Sequence, residues 1–138
     1  MDLPIKKLII GVIKKGDSVL LRKKFPGDKP YKQTWYLLGC PYVEDQDPSQ
    51  AFIDYAKNEL GIEITFVKSL SEDDETKEDH DNIKKHFIYI SKEFEFVKGN
   101  PLLPKDHEKI NFIDIKTLKD LDLVPPTTKL LQQAGYLK

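Results

Sequence analysis

Residues 34–62 read TWYLLGCPYVEDQDPSQAFIDYAKNELGI, and the order of signals in this stretch decides how the rest of the chain is read. Trp35, Tyr36, Leu37 and Leu38 form a short apolar run ending at Gly39, which predicts a buried strand. Asp47 and Pro48 then open a helix. Aspartate is a favoured N-cap, proline suits the first helical position because its missing N–H has no partner there, and Gln50 completes a capping-box pattern. Phe52, Ala56 and Leu60 recur every fourth residue and Ile53 widens the stripe, so one side faces a core while the other is polar. Gly61 supplies the stop. At about 100° per residue, positions 55, 58 and 59 fall on the polar side within an arc of about 100°.

Working outward, the stretches from Lys7 to Ile13 and from Ser18 to Leu21 are rich in Ile, Val and Leu, and the turn residues Lys15-Gly16-Asp17 between them predict a β-hairpin. Phe25 to Gln33 suits an irregular connection. Downstream, Ile62 to Val67 and Phe87 to Phe96 read as strands, the second marked by Ile88, Ile90, Phe94 and Phe96. Between them Ser71 to Asp81 is densely acidic and holds nothing apolar, so a solvated, mobile loop is expected; the alternative is a cation-binding role for the group around His80. After a loop near Asn100 to Lys105, Ile110 to Ile115 suggests a last strand, Lys116 to Leu121 a short helix, and Pro125-Pro126 the entry to a terminal helix from about Thr127 to Ala134. No repeat or linker interrupts this order, which predicts a mixed α+β domain with helices packed on a sheet.

A chain of 138 residues, 39% of them hydrophobic, has enough apolar material for one sizeable core, so one domain over 1–138 is expected. Charged residues make up 33%, yet the net charge is -1, which gives no general attraction to nucleic acid or to an anionic membrane. With Cys40 the sole cysteine, no internal disulfide can form, compatible with a reducing cytoplasm. The apolar run from Leu8 to Ile13 is far too short to span a bilayer. These features predict a soluble cytoplasmic protein.

The run Thr34 to Cys40, with Val43-Glu44, Asp47-Pro48-Ser49-Gln50-Ala51 and Asn58-Glu59-Leu60-Gly61-Ile62 after it, is similar to the signature region of the Nudix hydrolase superfamily. In that family a tryptophan and a Pro-Gly-Gly turn lead to a Gly-x5-Glu-x7-Arg-Glu-U-x-Glu-Glu-x-Gly-U box, U being a bulky apolar residue. Leu20-Leu21-Arg22 resembles the family's second strand, His107-Glu108 with Phe112-Ile113-Asp114 its late acidic residue and final strand, and the Leu118-to-Leu121 turn and terminal helix also fall where the family places them. The resemblance implies an α/β/α sandwich, a mixed β-sheet with helices packed on both sides. With the register set at Gly61, Asp54 stands at the box arginine, Tyr55 at the next glutamate, and Asn58-Glu59 at the Glu-Glu pair. Upstream, Cys40 replaces the first glycine and Gln46 the first glutamate, unless a one-residue insertion restores Val43-Glu44.

Mg²⁺ takes oxygen ligands in a near-octahedral shell, some supplied by a nucleotide diphosphate. Here the helix offers it a phenol, an amide and one carboxylate, so the ion is expected to be held weakly. The resemblance makes Glu59 and Glu108 the candidate catalytic residues, and Glu59, Asp54 and Asn58 the candidate metal ligands. Arg22, Lys24, Trp35 and Glu44 are candidates for ligand binding, the cations for phosphates and the aromatic for a base or for the core. A nucleophilic role for Cys40 finds no histidine readable nearby. The leading expectation is a protein that binds a nucleotide or nucleoside diphosphate derivative, or a macromolecular partner such as a protein, with diphosphate hydrolysis weak or lost. Two others stand beside it: an active Mg²⁺-dependent pyrophosphohydrolase built on Glu44, Asp54, Glu59 and Glu108, and a structural subunit of a larger assembly.

Overall fold

The computed structural model describes residues 3–27, 31–43 and 45–138. Ile5–Lys15 (β1) and Ser18–Lys24 (β2) form the expected hairpin, with Lys14 opposite Val19 and Lys15 opposite Ser18. Beyond those two pairs the strands diverge. Trp35–Tyr36 (β3) pairs with β2 at Arg22 and Lys23, whereas Leu38–Pro41 (β4) pairs with β1 from Leu8 to Gly11. The single strand predicted from Trp35 to Leu38 is therefore two, because one short segment cannot follow both arms of a fork. At the switch, the Leu37 main-chain N–H leaves the sheet and donates to Thr127 Oγ1 at 3.2 Å.

Ile62–Glu78 (β5) runs antiparallel to Lys84–Gly99 (β6), β6 runs parallel to β1, and His107–Asp114 (β7) pairs antiparallel with β2. The sheet is mixed, in the order β3-β2-β1-β6-β5 with β4 and β7 joining the arms of the fork. The acidic segment from Ser71 to Glu78, expected to be a mobile loop, is instead the second half of β5, in register with β6 from Glu72 opposite Ile90 to Glu78 opposite Lys84. Two facts explain the difference. The β6 ladder satisfies its backbone, and its alternate side chains Asp73, Glu75 and Lys77 pair with lysines, a carboxylate and phenols instead of water. Asp79 accepts from Lys6 and Lys85 at 3.0 Å each, so the group around His80, weighed above as a cation site, is already neutralised by the chain's own ammonium groups.

The helix predicted from Asp47 begins at Pro48 as an α-helix to Tyr55 (α1) and continues as a wider π-helical turn over Ala56–Leu60. Gly61 ends it at φ 69, the left-handed region open to glycine, with its N–H donating to Ala56 O. The capping box does not form: Asp47 makes no side-chain cap bond, and the Gln50 amide donates to Asp54 Oδ1 at 2.9 Å. A 3-10 turn over Ile115–Asp120 and a helix over Pro125–Gln133 (α2) complete the chain. Among the described residues no helix is long and apolar enough to cross a membrane.

Each face of the sheet carries its own apolar layer. On one side Phe52, Ala56 and Leu60 of the helix sit on Ile9, Ile13, Leu20, Leu38, Ile62, Ile64 and Phe94; on the other, Leu130 and Leu131 of α2 and Leu118 cover Val12, Val19, Leu21 and Leu37. This is the α/β/α sandwich, α+β in class, that the sequence resemblance implies. The helix-side layer needs an unusually close approach. A Cβ on Gly11 would lie 2.2 Å from Phe52 Cε1 and Cζ, so the ring rests on bare backbone. Gly11→Ala is expected to destabilise the fold by about 1–3 kcal/mol through overpacking. A urea midpoint unchanged from wild type would show that the ring has room to move.

Candidate functional site

The fork between β1 and β2 and the underside of α2 enclose a cavity of about 540 Å³. Its floor comes from alternate residues of the central strands, Leu8 and Ile10 of β1 and Phe87 and Tyr89 of β6, which point away from α1. Thr127 and Leu130 of α2 form one wall. The opposite wall is the inward row of β5, Asp73, Glu75 and Lys77, with Asp79 just past the strand's end.

That wall is organised around Lys77. Its ammonium donates to the Tyr31 hydroxyl at 2.6 Å and the Tyr89 hydroxyl at 2.7 Å, and pairs with Glu75 at 2.8 Å. The rings of Tyr31, Phe87 and Tyr89 surround it at 4.2, 4.5 and 5.4 Å from their centroids, a cation–π cage. Burial pushes the Lys77 ammonium down, opposed by the Glu75 carboxylate. The same burial, with Glu75 close by, pushes the Tyr31 and Tyr89 phenols well above their ordinary range, so both remain protonated donors. Tyr31 donates to Glu75, and the buried Lys24 ammonium donates to the Tyr31 carbonyl, which ties the connection after β2 across to β5.

Sequence reasoning placed Lys24 and Arg22 here, and both line the cavity. It missed Lys77, Glu75 and Tyr89. The overlooked signal was Asp79-His80-Asp81-Asn82, turn-forming residues with Glu78 on one side and Lys84-Lys85 on the other, which suits a hairpin with complementary cross-strand charges. Trp35 lies elsewhere: half-buried, it packs against the α2-side core and is outside the cavity lining. Glu44 falls outside the described residues.

The helix face next to the fork holds the other candidates. Asp54, Asn58 and Glu59 are exposed, Asp54 holding the Gln50 amide. Because Ala56–Leu60 is π-helical, the spacing of 100° per residue assumed for positions 55, 58 and 59 does not hold across it, and these side chains fan out over a wider turn. Tyr55 is half-buried with its ring 5.5 Å from that of Phe52; burial pushes its phenol up, against the opposing pull of Arg22. Glu108 pairs with Lys23 at 2.8 Å. Its neighbour His107 bonds the Tyr36 hydroxyl through Nε2, with Nδ1 2.7 Å from the Lys105 carbonyl. Cys40 is buried, its thiol pushed up to about 11, which removes it as a nucleophile near neutral pH.

The family resemblance implies Mg²⁺, and this donor set does not fit a cluster of such ions. Tyr55 offers a neutral phenol, Glu108 is ion-paired with Lys23, and the Arg22 charge, which pulls on the Tyr55 phenol, opposes a second cation. Among the described residues no three His, Cys, Asp or Glu side chains gather closely enough to hold a metal ion.

A forked mixed sheet between two helical layers, with a cleft at the fork, is the Nudix hydrolase fold. A Nudix hydrolase from Nitrosomonas europaea superposes with a TM-score of 0.72 at 12% identity, over 96% of this chain and 88% of that one. A MutT Nudix hydrolase from Burkholderia pseudomallei gives 0.71 at 22% identity, over 94% and 97%, and an ADP-ribose pyrophosphatase from Streptococcus suis 0.63 at 14%, over 95% and 87%. No protein-family profile matches the chain, and no curated protein does.

Proposed function

We propose that this protein binds a nucleotide-type, nucleoside diphosphate-linked ligand in the cavity between the sheet and α2, with family-type diphosphate hydrolysis weak or lost. One contrast carries the reading. The cavity is walled by aromatic rings and cations suited to a base and its phosphates, while the adjoining helix face offers a phenol, an amide and a single carboxylate. A fold neighbour that is an ADP-ribose pyrophosphatase guides the choice of ligands to try.

A thermal-shift panel of nucleotides, dinucleotides and nucleoside diphosphate sugars, with EDTA or with Mg²⁺, tests the binding. A ligand that occupies only the native state at 100 times its Kd adds about 2.7 kcal/mol, roughly 5–15 °C for a domain of this size. At least one member is expected to give such a shift in EDTA. In the same samples with Mg²⁺ or Mn²⁺, turnover should stay at least about a thousandfold below the 1–10³ s⁻¹ usual for enzymes. Ordinary turnover that Glu59→Gln abolishes would reverse the proposal in favour of an active hydrolase, and a panel without any shift would remove its nucleotide part.

A further inference from the structure

Among the described residues five lysine and arginine side chains line the cavity, and four are already engaged. Lys6 pairs with Asp79, Lys77 with Glu75 and Lys129 with Asp73, while Lys24 donates to the Tyr31 carbonyl. Arg22 differs. Among the described residues no carboxylate pairs with it, and its Nε is closed off from solvent without a hydrogen-bond partner. A buried donor left unmade costs free energy, and this one belongs to a guanidinium whose five N–H donors share a rigid plane.

The arrangement around Arg22 holds it in place without consuming its edge. Its guanidinium carbon lies 4.2 Å over the Tyr36 ring, and stacking of this kind leaves the in-plane N–H groups free to donate. Tyr36 is itself held by His107, whose other nitrogen is 2.7 Å from the Lys105 carbonyl. The acid on the neighbouring strand, Glu108, forms an ion pair with Lys23 at 2.8 Å, while its buried Oε2 makes no hydrogen bond. On the helix side the Arg22 charge pulls on the phenol of Tyr55, which cannot pair with it as a carboxylate would.

Resting on the reading of the cavity as a ligand site, the geometry points to Arg22 as the chain's own replacement for a divalent ion: it takes phosphate oxygens of the ligand directly, with no metal between them. The planar fork of a guanidinium matches two oxygens of a phosphate or diphosphate. A divalent cation on this face would be repelled by Arg22 and poorly neutralised by a phenol and an amide. A glutamate at position 55 would occupy the guanidinium and close the anion site. The phenol at 55 and the unpaired arginine at 22 thus belong together.

Calorimetric titration with inorganic pyrophosphate tests this without depending on which base the cavity accepts. The wild-type protein is expected to bind pyrophosphate in EDTA, and Mg²⁺ should not tighten the binding. Arg22→Gln should weaken it by about tenfold or more, since charge-assisted bonds to two oxygens are lost, and Arg22→Lys should recover only part. Tyr55→Glu, which keeps Arg22, should weaken it as much as Arg22→Gln and carries the test if that variant melts early. Lys119→Gln, on the exposed face of the 3-10 turn, should leave it unchanged. Equal affinity in Arg22→Gln, or binding that appears only with Mg²⁺, would overturn the inference. Nucleotides that stabilise the protein while pyrophosphate fails to bind in EDTA would sink it and leave the nucleotide reading standing. Arg22-dependent pyrophosphate binding without any nucleotide shift would do the reverse.

Discussion

Phe52→Ala is expected to destabilise the protein by about 3–5 kcal/mol, enough to consume much of the stability of an ordinary domain. The ring is fully buried, stacks on Phe94 with centroids 4.8 Å apart and is the contact through which α1 meets the backbone of β1 at Gly11. Its removal leaves a ring-shaped void between a helix and a sheet, two elements that cannot close on each other without moving Ala56 and Leu60 from their seats. Urea titrations followed by fluorescence and circular dichroism would measure the loss. The contact also predicts coupling: Gly11→Ala places a methyl in the space the ring vacates, so the double variant should be less destabilised than the sum by more than about 0.5 kcal/mol. A cost below about 1 kcal/mol for Phe52→Ala, or strict additivity, would show that the α1-side layer is packed differently.

Asp79→Asn is expected to cost about 2–3 kcal/mol at neutral pH, because charge-assisted bonds from two ammonium groups are lost at a carboxylate that is 3% exposed. Asp79 sits where the β5–β6 hairpin turns and ties it to β1 through Lys6, while its Oδ1 accepts from the His80 N–H at 2.8 Å. Although burial opposes it, bonding to Lys6 and Lys85 holds the carboxyl far below the ordinary aspartate range. The sign of the pH dependence follows. An unfolded aspartate protonates near about pH 3.9 and the folded one at a lower pH, so the stabilisation is fully present above that value. It is lost as pH falls from there through the folded pKa. The wild type should therefore lose stability between about pH 5 and 2 more steeply than Asp79→Asn, and the two urea midpoints should converge in acid. Parallel midpoint curves down to pH 2 would show that Asp79 does not carry this linkage.

How the chain's acids were read illustrates where sequence reasoning reaches its limit. The hairpin, the Pro48-to-Leu60 helix and the β6 strand carried one-dimensional signals, an apolar period with turn residues at its ends, and all three are present. Ser71 to Glu78 carried the signature of a solvated segment because its inward row is polar, and polarity toward a polar cavity looks the same in one dimension as polarity toward water. Lys129 on Asp73 and Lys6 on Asp79 come from positions 56 and 73 residues away, a pairing no local window contains. The π-helical turn is similar: Ala56 and Leu60 fit an α-helical stripe along the sequence, and the wider turn before Gly61 appears only in the folded chain.

The sequence by itself determined the layers and the poverty of carboxylates on the helix face, since both depend on which residues stand at which spacing along one element. Only the tertiary structure decided that β1 and β2 part into a fork, that the acidic half of β5 becomes a cavity wall, and that Arg22 among the described cavity cations stacks on a ring with no carboxylate and an unmade Nε hydrogen bond. Whether a charge is spent or available depends on what the fold brings within about 4 Å of it, and that distance has no counterpart along the chain.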